Sequence, residues 1–325
     1  MHQMITHVAS AVAVALGLAC ASAIAADAYP TRPVRLVVPF APGGGSDVVG
    51  RTIGQKLTEY LGQTIVVDNR PGAASMVGTE LVAKSPPDGY TLLLADIAFT
   101  VNSAYYVKQI RFDILKDFVP IALVAETPYV LLVNPSVPAT TFKDFLALAK
   151  AQPGKINLGS SGNGTGPHLT LELLKLRTGV NINHVPYKGG FPAFSEAMAG
   201  QIEATIIGMG GVLQFVESGK IRALAVADRK RSAALPKVPT FIESGADIVV
   251  TNWYGVVARA GTPQTVQKRL YDEIGRALTT SDVRDRLRGT GLEPVAQTPG
   301  HFPRLVESEL KRWNGVIKEA RIQTE

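Results

Sequence analysis

The sequence predicts an α/β fold arranged as two lobes. Three observations point to it. Short apolar runs alternate with stretches of helical period along most of the 325 residues, the order that builds parallel sheets covered by helices. Two glycine-rich loops, Pro42-Gly43-Gly44-Gly45-Ser46-Asp47 and Ser160-Ser161-Gly162-Asn163-Gly164-Thr165-Gly166-Pro167-His168, each follow a strand-like run and lead into a helix. Two stretches, near Glu126–Pro128 and Thr251–Tyr254, are placed to carry the chain from one lobe to the other and back. One continuous large sheet is the alternative layout.

Val34–Pro39 is apolar and reads as the first strand. Val49, Ile53, Leu57 and Leu61 then recur every four residues, which gives a helix with one buried stripe. Ile65–Val67 is a strand, ended by the turn Asn69-Arg70-Pro71-Gly72. Met76–Lys84 is a short helix stopped by Pro86-Pro87-Asp88-Gly89, and Tyr90–Ala95 is the next strand. After Val119–Glu126 a second unit begins, with strands at Tyr129–Val133, Ile156–Gly159, His184–Tyr187, Glu203–Ile207 and Ala223–Ala227. Between them fall helices at Phe142–Ala151, at Leu169, Leu173 and Leu176, at Phe191–Met198 and at Val212–Ser218. The chain returns through a strand at Tyr254–Ala258, a helix from Thr262-Pro263 through Leu278, where Pro263 suits the first turn, and a last helix at Leu305–Ala320.

Residues 1–26 read as a secretory signal. Val8 to Ala26 is apolar and alanine-rich without a charged side chain, and Ala23-Ile24-Ala25 offers a small-x-small cleavage site. A membrane anchor is the competing reading, for which the alanine and serine content is weak. Cys20, the sole cysteine, lies inside this stretch, so the mature chain is expected to carry no disulfide in a compartment that permits one. The composition, 46% apolar and 18% charged, fits a folded protein and not a disordered one. The net charge of +6 comes from Lys and Arg interspersed with acids, as in Arg284-Asp285-Arg286. A nucleic-acid binder clusters such charge along one stripe, so no nucleic-acid partner is expected.

The glycine loops carry the chemistry. Glycine lets backbone approach a ligand closely, and a helix N-terminus offers unpaired N–H groups at a positive dipole end. Two such loops suit two anion-gripping surfaces closing on one small carboxylate. The first loop lacks the Walker lysine and the Gly-x-Gly-x-x-Gly order of a dinucleotide site; Ser46 or Asp47 as a plain helix cap is the structural alternative. In the second, Ser160, Ser161 and Thr165 are hydrogen-bond donors for an anion, and His168 supports the loop. The same residues invite a hydrolase reading, Ser161 as nucleophile and His168 as base, yet Asn163 stands where the nucleophile elbow needs glycine. Tyr187-Lys188-Gly189-Gly190 is either a strand-to-helix turn or a pocket rim bearing a cation, and Trp253-Tyr254 either lines a cleft or packs. No metal-ligand spacing emerges, and no cofactor is expected.

These motifs, taken in order, resemble the periplasmic solute-binding receptors of the tripartite tricarboxylate transporter, or Bug, family. Tyr29-Pro30-Thr31-Arg32-Pro33 through Gly44, Asn69-Arg70-Pro71-Gly72-Ala73, Pro87-Asp88-Gly89-Tyr90, Ser161-Gly162-Asn163-Gly164-Thr165 with His168-Leu169, and His184-Val185-Pro186-Tyr187-Lys188-Gly189-Gly190 carry the likeness. It extends through Gly219-Lys220-Ile221-Arg222, Pro236-Lys237-Val238-Pro239-Thr240 and Gly261-Thr262-Pro263. The resemblance implies a type II periplasmic-binding-protein fold. Each lobe would be a mainly parallel sheet flanked by helices, with the ligand cleft between lobe 1 (27–126 plus 252–325) and lobe 2 (127–251). It implies a non-enzymatic, monomeric periplasmic receptor that closes about a hinge on a small organic carboxylate and docks on membrane transporter subunits or a sensor. Pro42, Gly43, Gly44, Gly45, Ser46 and Asp47 would contact the ligand from one side, and Ser160, Ser161, Gly164, Thr165 and His168 from the other. Two stretches depart from the family pattern where specificity should be decided. Asp96, Ile97 and Phe99 stand where small polar residues are usual, and Ile207-Gly208-Met209 is apolar where many relatives carry an acidic or small polar residue. A cleft-facing Asp96 would repel a second carboxylate or attract an amine, and Phe99 would favour a ring. A monocarboxylate with an apolar or aromatic body is therefore favoured, an amino acid second, with dicarboxylates also possible. Asp96 pointing away from the cleft is the competing reading. A secreted serine hydrolase and a ligand-free envelope protein are the alternatives from other classes.

Overall fold

A computed structural model describes residues 29–319 and Ile322. The signal segment and Cys20 lie outside the described residues. Ten strands form one mixed sheet in the order β2-β1-β3-β9-β4-β7-β5-β6, with β8 and β10 also paired to β4. In chain order they are β1 (Val34–Val38), β2 (Ile65–Asn69), β3 (Thr91–Asp96), β4 (Phe118–Val133), β5 (Asn157–Ser160), β6 (Asn183–Pro186), β7 (Ala204–Gly208), β8 (Arg222–Val226), β9 (Thr251–Arg259) and β10 (Glu293–Pro294). The α-helices are α1 (Gly45–Leu61), α2 (Met76–Ala83), α3 (Ile97–Tyr105), α4 (Phe142–Ala151), α5 (Gly166–Thr178), α6 (Gly190–Met198), α7 (Leu213–Glu217), α8 (Gln264–Thr279), α9 (Ser281–Gly289) and α10 (His301–Glu319).

The sheet has two parallel ends and an antiparallel middle. At one end β2, β1 and β3 run parallel; at the other β6, β5 and β7 do. They are joined through β9 and β4, each antiparallel to its neighbours. The expected crossings are not loops. β4 stays extended through Glu126, Thr127 and Pro128, which pair with Trp253, Asn252 and Thr251 of β9. β4 pairs with β9 and β10 in its first part and with β7 and β8 in its last. The chain is thus one continuous sheet and two helix-covered halves at once.

Strand side chains alternate between faces, as the pleat requires. Val34, Leu36, Val38, Leu92 and Leu94 meet Val49, Ile53 and Leu57 of α1 and Leu270 and Ile274 of α8. Val37, Leu93 and Ala95 face the opposite way, onto a core that extends into the second half through Leu131, Val133, Phe145 and Leu158. That core contains α3, all but one of whose residues are buried. A helix buried all round shows no apolar stripe, which is why no helical period marks Ile97–Tyr105 in the sequence. α9 was also not expected; it buries only Val283 and Leu287. Pro263 stands just ahead of α8 as its N-cap.

Gly255 of β9 lies beneath Phe302 of α10, whose ring meets Trp253 edge-on at 5.4 Å. A Cβ at Gly255 would run into the Phe302 ring. Gly255→Ala is expected to lower stability by about 1–3 kcal/mol through overpacking, read as an earlier urea midpoint. An unmoved midpoint would mean the ring has room to shift.

Candidate functional site

A cleft of about 440 Å³, part of it open to solvent, lies where the carboxyl ends of β1, β3, β5, β6 and β7 meet. That is the usual place for a ligand on an α/β sheet. Phe40, Ala41, Gly44, Gly45, Ser46 and Asp96 line it from the first half, and Ser161, Pro167, Gly190, Ile207 and Gly208 from the second. Tyr129 of β4 and Asn252 and Tyr254 of β9 form its floor.

Helix N-termini converge here. The ladder of α1 begins with Val48 N–H donating to the Gly44 carbonyl, so the N–H groups of Gly45 and Ser46 lie ahead of it, and both residues line the cleft. In α5 the ladder begins with Leu169 N–H to the Thr165 carbonyl, and Pro167 stands on the wall. Gly190 opens α6. Two tyrosines reach these ends. A Cβ on Gly45 would run into the Tyr254 hydroxyl, and one on Gly166 into the Tyr129 hydroxyl and ring. Glycine at the head of α1 and α5 therefore makes room for a phenol under each helix end.

The fourth helix end is different. Asp96 is the N-cap of α3, its Oδ1 accepting the Ala98 N–H at 3.0 Å, while Ile97 N–H donates to Asn252 Oδ1 at 3.3 Å. α3 has thus used its first donors internally. Asp96 is 7% exposed and lies on the cleft wall, beside Tyr254 in the β3–β9 register. Burial pushes its carboxyl up to about 7, only partly opposed by the Ala98 N–H that favours its charged form. Among the residues lining the cleft there is no lysine, arginine or histidine.

The two halves touch across the cleft mouth almost backbone to backbone. A Cβ on Gly210 would lie 2.7 Å from the Gly45 Cα, and one on Gly211 would lie 2.6 Å from the Gly43 carbonyl oxygen. The Tyr106 hydroxyl, just past α3, donates to the Asn163 carbonyl of the second glycine loop at 3.0 Å.

Of the residues named from the sequence, Gly44, Gly45, Ser46, Asp96, Ser161 and Gly208 line the cleft; the others stand behind or beside the wall. Asp47 turns back into its own loop, accepting from Gly43 N–H (3.1 Å), Arg51 Nε (3.0 Å) and Asn69 Nδ2 (3.1 Å). Burial raises its carboxyl, but those donors outweigh it and hold the group below its ordinary range. It therefore helps fix the fold of the loop at Gly43. Ser160 is buried and bonded to His184 Nε2 at 2.6 Å. Thr165 donates to the Gly162 carbonyl at 2.7 Å, so its hydroxyl shapes the loop. Gly164 N–H donates to His168 Nδ1 at 3.1 Å, and the His168 ring stacks on His184 at 4.4 Å. Burial lowers His168 to about 4 and His184 to about 3, so both are neutral braces. Ile97 is buried at the start of α3. Phe99 is in the core, edge-on to Phe118, and Met209 is buried beneath Gly291; neither gives the cleft a ring or a sulfur. With Nδ1 engaged by Gly164, and Nε2 directed to Glu172 at 3.8 Å, His168 is not a base for Ser161.

The sequence reading did not single out Phe40, Ala41, Tyr129 or Asn252 as wall, while Ile207 and Pro167 lay in stretches it named without giving them a contact of their own. Gly190 and Tyr254 lay in motifs left open between packing and lining; Trp253 packs and Tyr254 lines. Among the described residues no group of three or more His, Cys, Asp or Glu side chains could hold a metal ion, and no helix is long and apolar enough to cross a membrane.

A family model described as tripartite tricarboxylate transporter family receptor matches residues 49–322. The chain belongs to this family. The receptor is 38% identical over 301 residues to Protein BugT of Bordetella pertussis, with 92% of each chain covered. Among solved structures it is similar to Rpa4515 of R. palustris with adipate (35% identity, TM-score 0.87, covering 90% of this chain and 98% of that one). It is also similar to MatC of Rhodopseudomonas palustris with bound malate (30% identity, TM-score 0.84, covering 89% and 100%). The fold is that of a periplasmic binding protein of this type, and the receptor is a solute-binding protein, not an enzyme.

Asp96 makes a pH signature. Its folded pKa of about 7 lies above the ordinary 3.8, so the folded chain holds the proton more tightly than the unfolded one, and stability falls as pH rises between these values. His168 and His184, neutral when folded, act in the opposite sense, losing stability as pH falls below 6.5; they are common to native protein and variant and cancel in the difference. Asp96→Asn keeps a capping side chain. It is expected to raise Tm over ligand-stripped native protein above pH 7, with the gain fading toward pH 4. Thermal melts across that range check this, and a pH-independent gain would contradict it.

Proposed function

We propose that the protein is an exported receptor that captures a small organic carboxylate between two lobes, 27–126 plus 252–325 and 127–251, and presents it to membrane transporter subunits or a sensor. The convergence of the α1, α5 and α6 N-termini on one cleft carries this reading. Backbone N–H groups there suit a carboxylate without any cationic side chain. The two structural relatives hold adipate and malate, both small carboxylates. With Phe99 in the core, the argument for an aromatic body falls away, and the apolar part of the wall is Phe40, Ala41 and Ile207.

Binding is by closure. The open form takes the ligand on one lobe, and motion about the paired strands β4 and β9 brings the other lobe's helix ends onto it. Residues 1–26 serve as the export signal. A thermal-shift screen of mature, ligand-stripped protein against carboxylates tests the reading. Binding to the folded state alone stabilises it by about 2.7 kcal/mol at a hundredfold excess over Kd. A selective rise in Tm is expected, and a flat response to every acid would overturn the receptor assignment.

The glycine seam gives a second test. Gly210→Val holds the lobes apart by pressing on Gly45, although Gly210 itself does not line the cleft. It is expected to weaken binding of the best acid from the screen by about tenfold or more, since closure must then be completed against a clash. Calorimetric titration reads the loss, and an unaltered Kd would show that the seam is not part of the bound form.

A further inference from the structure

The cleft brings two electrical features together. The helix ends of α1, α5 and α6 line it, with the Tyr129 and Tyr254 hydroxyls beneath two of them. Asp96, more than nine-tenths buried and with one oxygen committed to the Ala98 N–H, shares the wall and lies near enough to both tyrosines to add to burial in disfavouring their ionised forms. No basic side chain among the lining residues answers it. The α3 end, which could have offered donors to an anion, is closed by Asp96 itself and by Asn252. A second carboxylate of a dicarboxylate ligand would enter beside this acid, where like charges repel at short range. Burial favours the neutral form of the Asp96 carboxyl, opposed by the Ala98 N–H and the α3 dipole, so a cation placed beside it tips it to the ionised form.

We infer that the ligand is an amino-carboxylate: its carboxylate sits on the helix ends, and its ammonium pairs with Asp96, which decides specificity. This rests on the receptor reading above. The chemistry needed from the ligand is one negative and one positive group, a few ångströms apart, with little net charge. Such a zwitterion also relieves the cost of burying an unpaired acid, because its ammonium brings the missing partner. A buried acid left facing a ligand without that cation is penalised, which is how the site would reject simple and doubly charged acids.

The test uses matched probes on the full mature chain: alanine against propionate, 4-aminobutyrate against butyrate and succinate, 6-aminohexanoate against hexanoate and adipate. Isothermal titration gives the preference of amino acid over its amine-free partner. The native protein is expected to favour at least one amino member by about tenfold or more, and Asp96→Asn to bring that ratio close to one; Asp96→Ser guards against a fold-specific failure of the first variant. Tighter binding of the amine-free acid or the diacid by native protein would overturn the inference and leave the carboxylate receptor standing. So would a ratio untouched by both substitutions. Failure of every acid, with or without an amine, to bind would remove the receptor reading as well.

Discussion

Everything at the site depends on one stretch of backbone staying extended. β4 runs sixteen residues without a break and carries Pro128 in its middle, where the chain passes from one half of the sheet to the other. Proline cannot donate to a ladder, yet β9 pairs beside it at Thr251, and Thr127 Oγ1 reaches the Gly291 carbonyl at 2.9 Å. Because β4 belongs to both halves, the carboxyl ends of the two parallel runs face one another instead of opening to opposite sides. The strands then deliver their following helices, α1 and α3 from one side and α5 and α6 from the other, N-terminus first into the same space. The tyrosines on β4 and β9 stand between them because the floor of the cleft is made of those two strands.

The close seam follows from the same arrangement. Gly210 and Gly211 on one half approach Gly45 and Gly43 on the other so nearly that a side chain on Gly210 or Gly211 would intrude on the facing backbone. Loops built this way leave the backbone N–H groups as the recognition surface. The wall therefore needs few polar side chains, and the one ionisable carboxyl that is present, Asp96, acquires unusual weight. Asp47, in the first turn of α1, is the contrast: also buried, it pairs with Arg51, accepts from Asn69 and spends its acceptors on structure.

Much of this was legible in the sequence where a face was exposed to contrast with a buried one. α1 announced itself through Val49, Ile53 and Leu57, and the strands through short apolar runs between turns. α3 did not, because burial on all sides erases its period, and this hid the fact that Asp96 is a helix cap. The glycine loops pointed correctly to the head of two helices, but which residues of each loop face inward is a matter of backbone turns that spacing does not encode. Thr165 and Ser160 look like donors in a list of residues and are consumed by Gly162 and His184 in space. Tyr129 and Tyr254 were hidden for the reverse reason: a tyrosine in a strand reads as packing, and only the opposing glycines at 166 and 45 show that each hydroxyl has been given a place.

The central claim is that a carboxylate is held by helix ends in the cleft between the two halves. A crystal structure of the mature protein with the acid that stabilises it most tests this directly. The account predicts a carboxylate within hydrogen-bonding distance of the Gly45 and Ser46 N–H groups, with Ser161 or Gly190 closing over it from the other side. An acid bound outside this cleft, or held in it by side-chain cations instead of backbone, would contradict it.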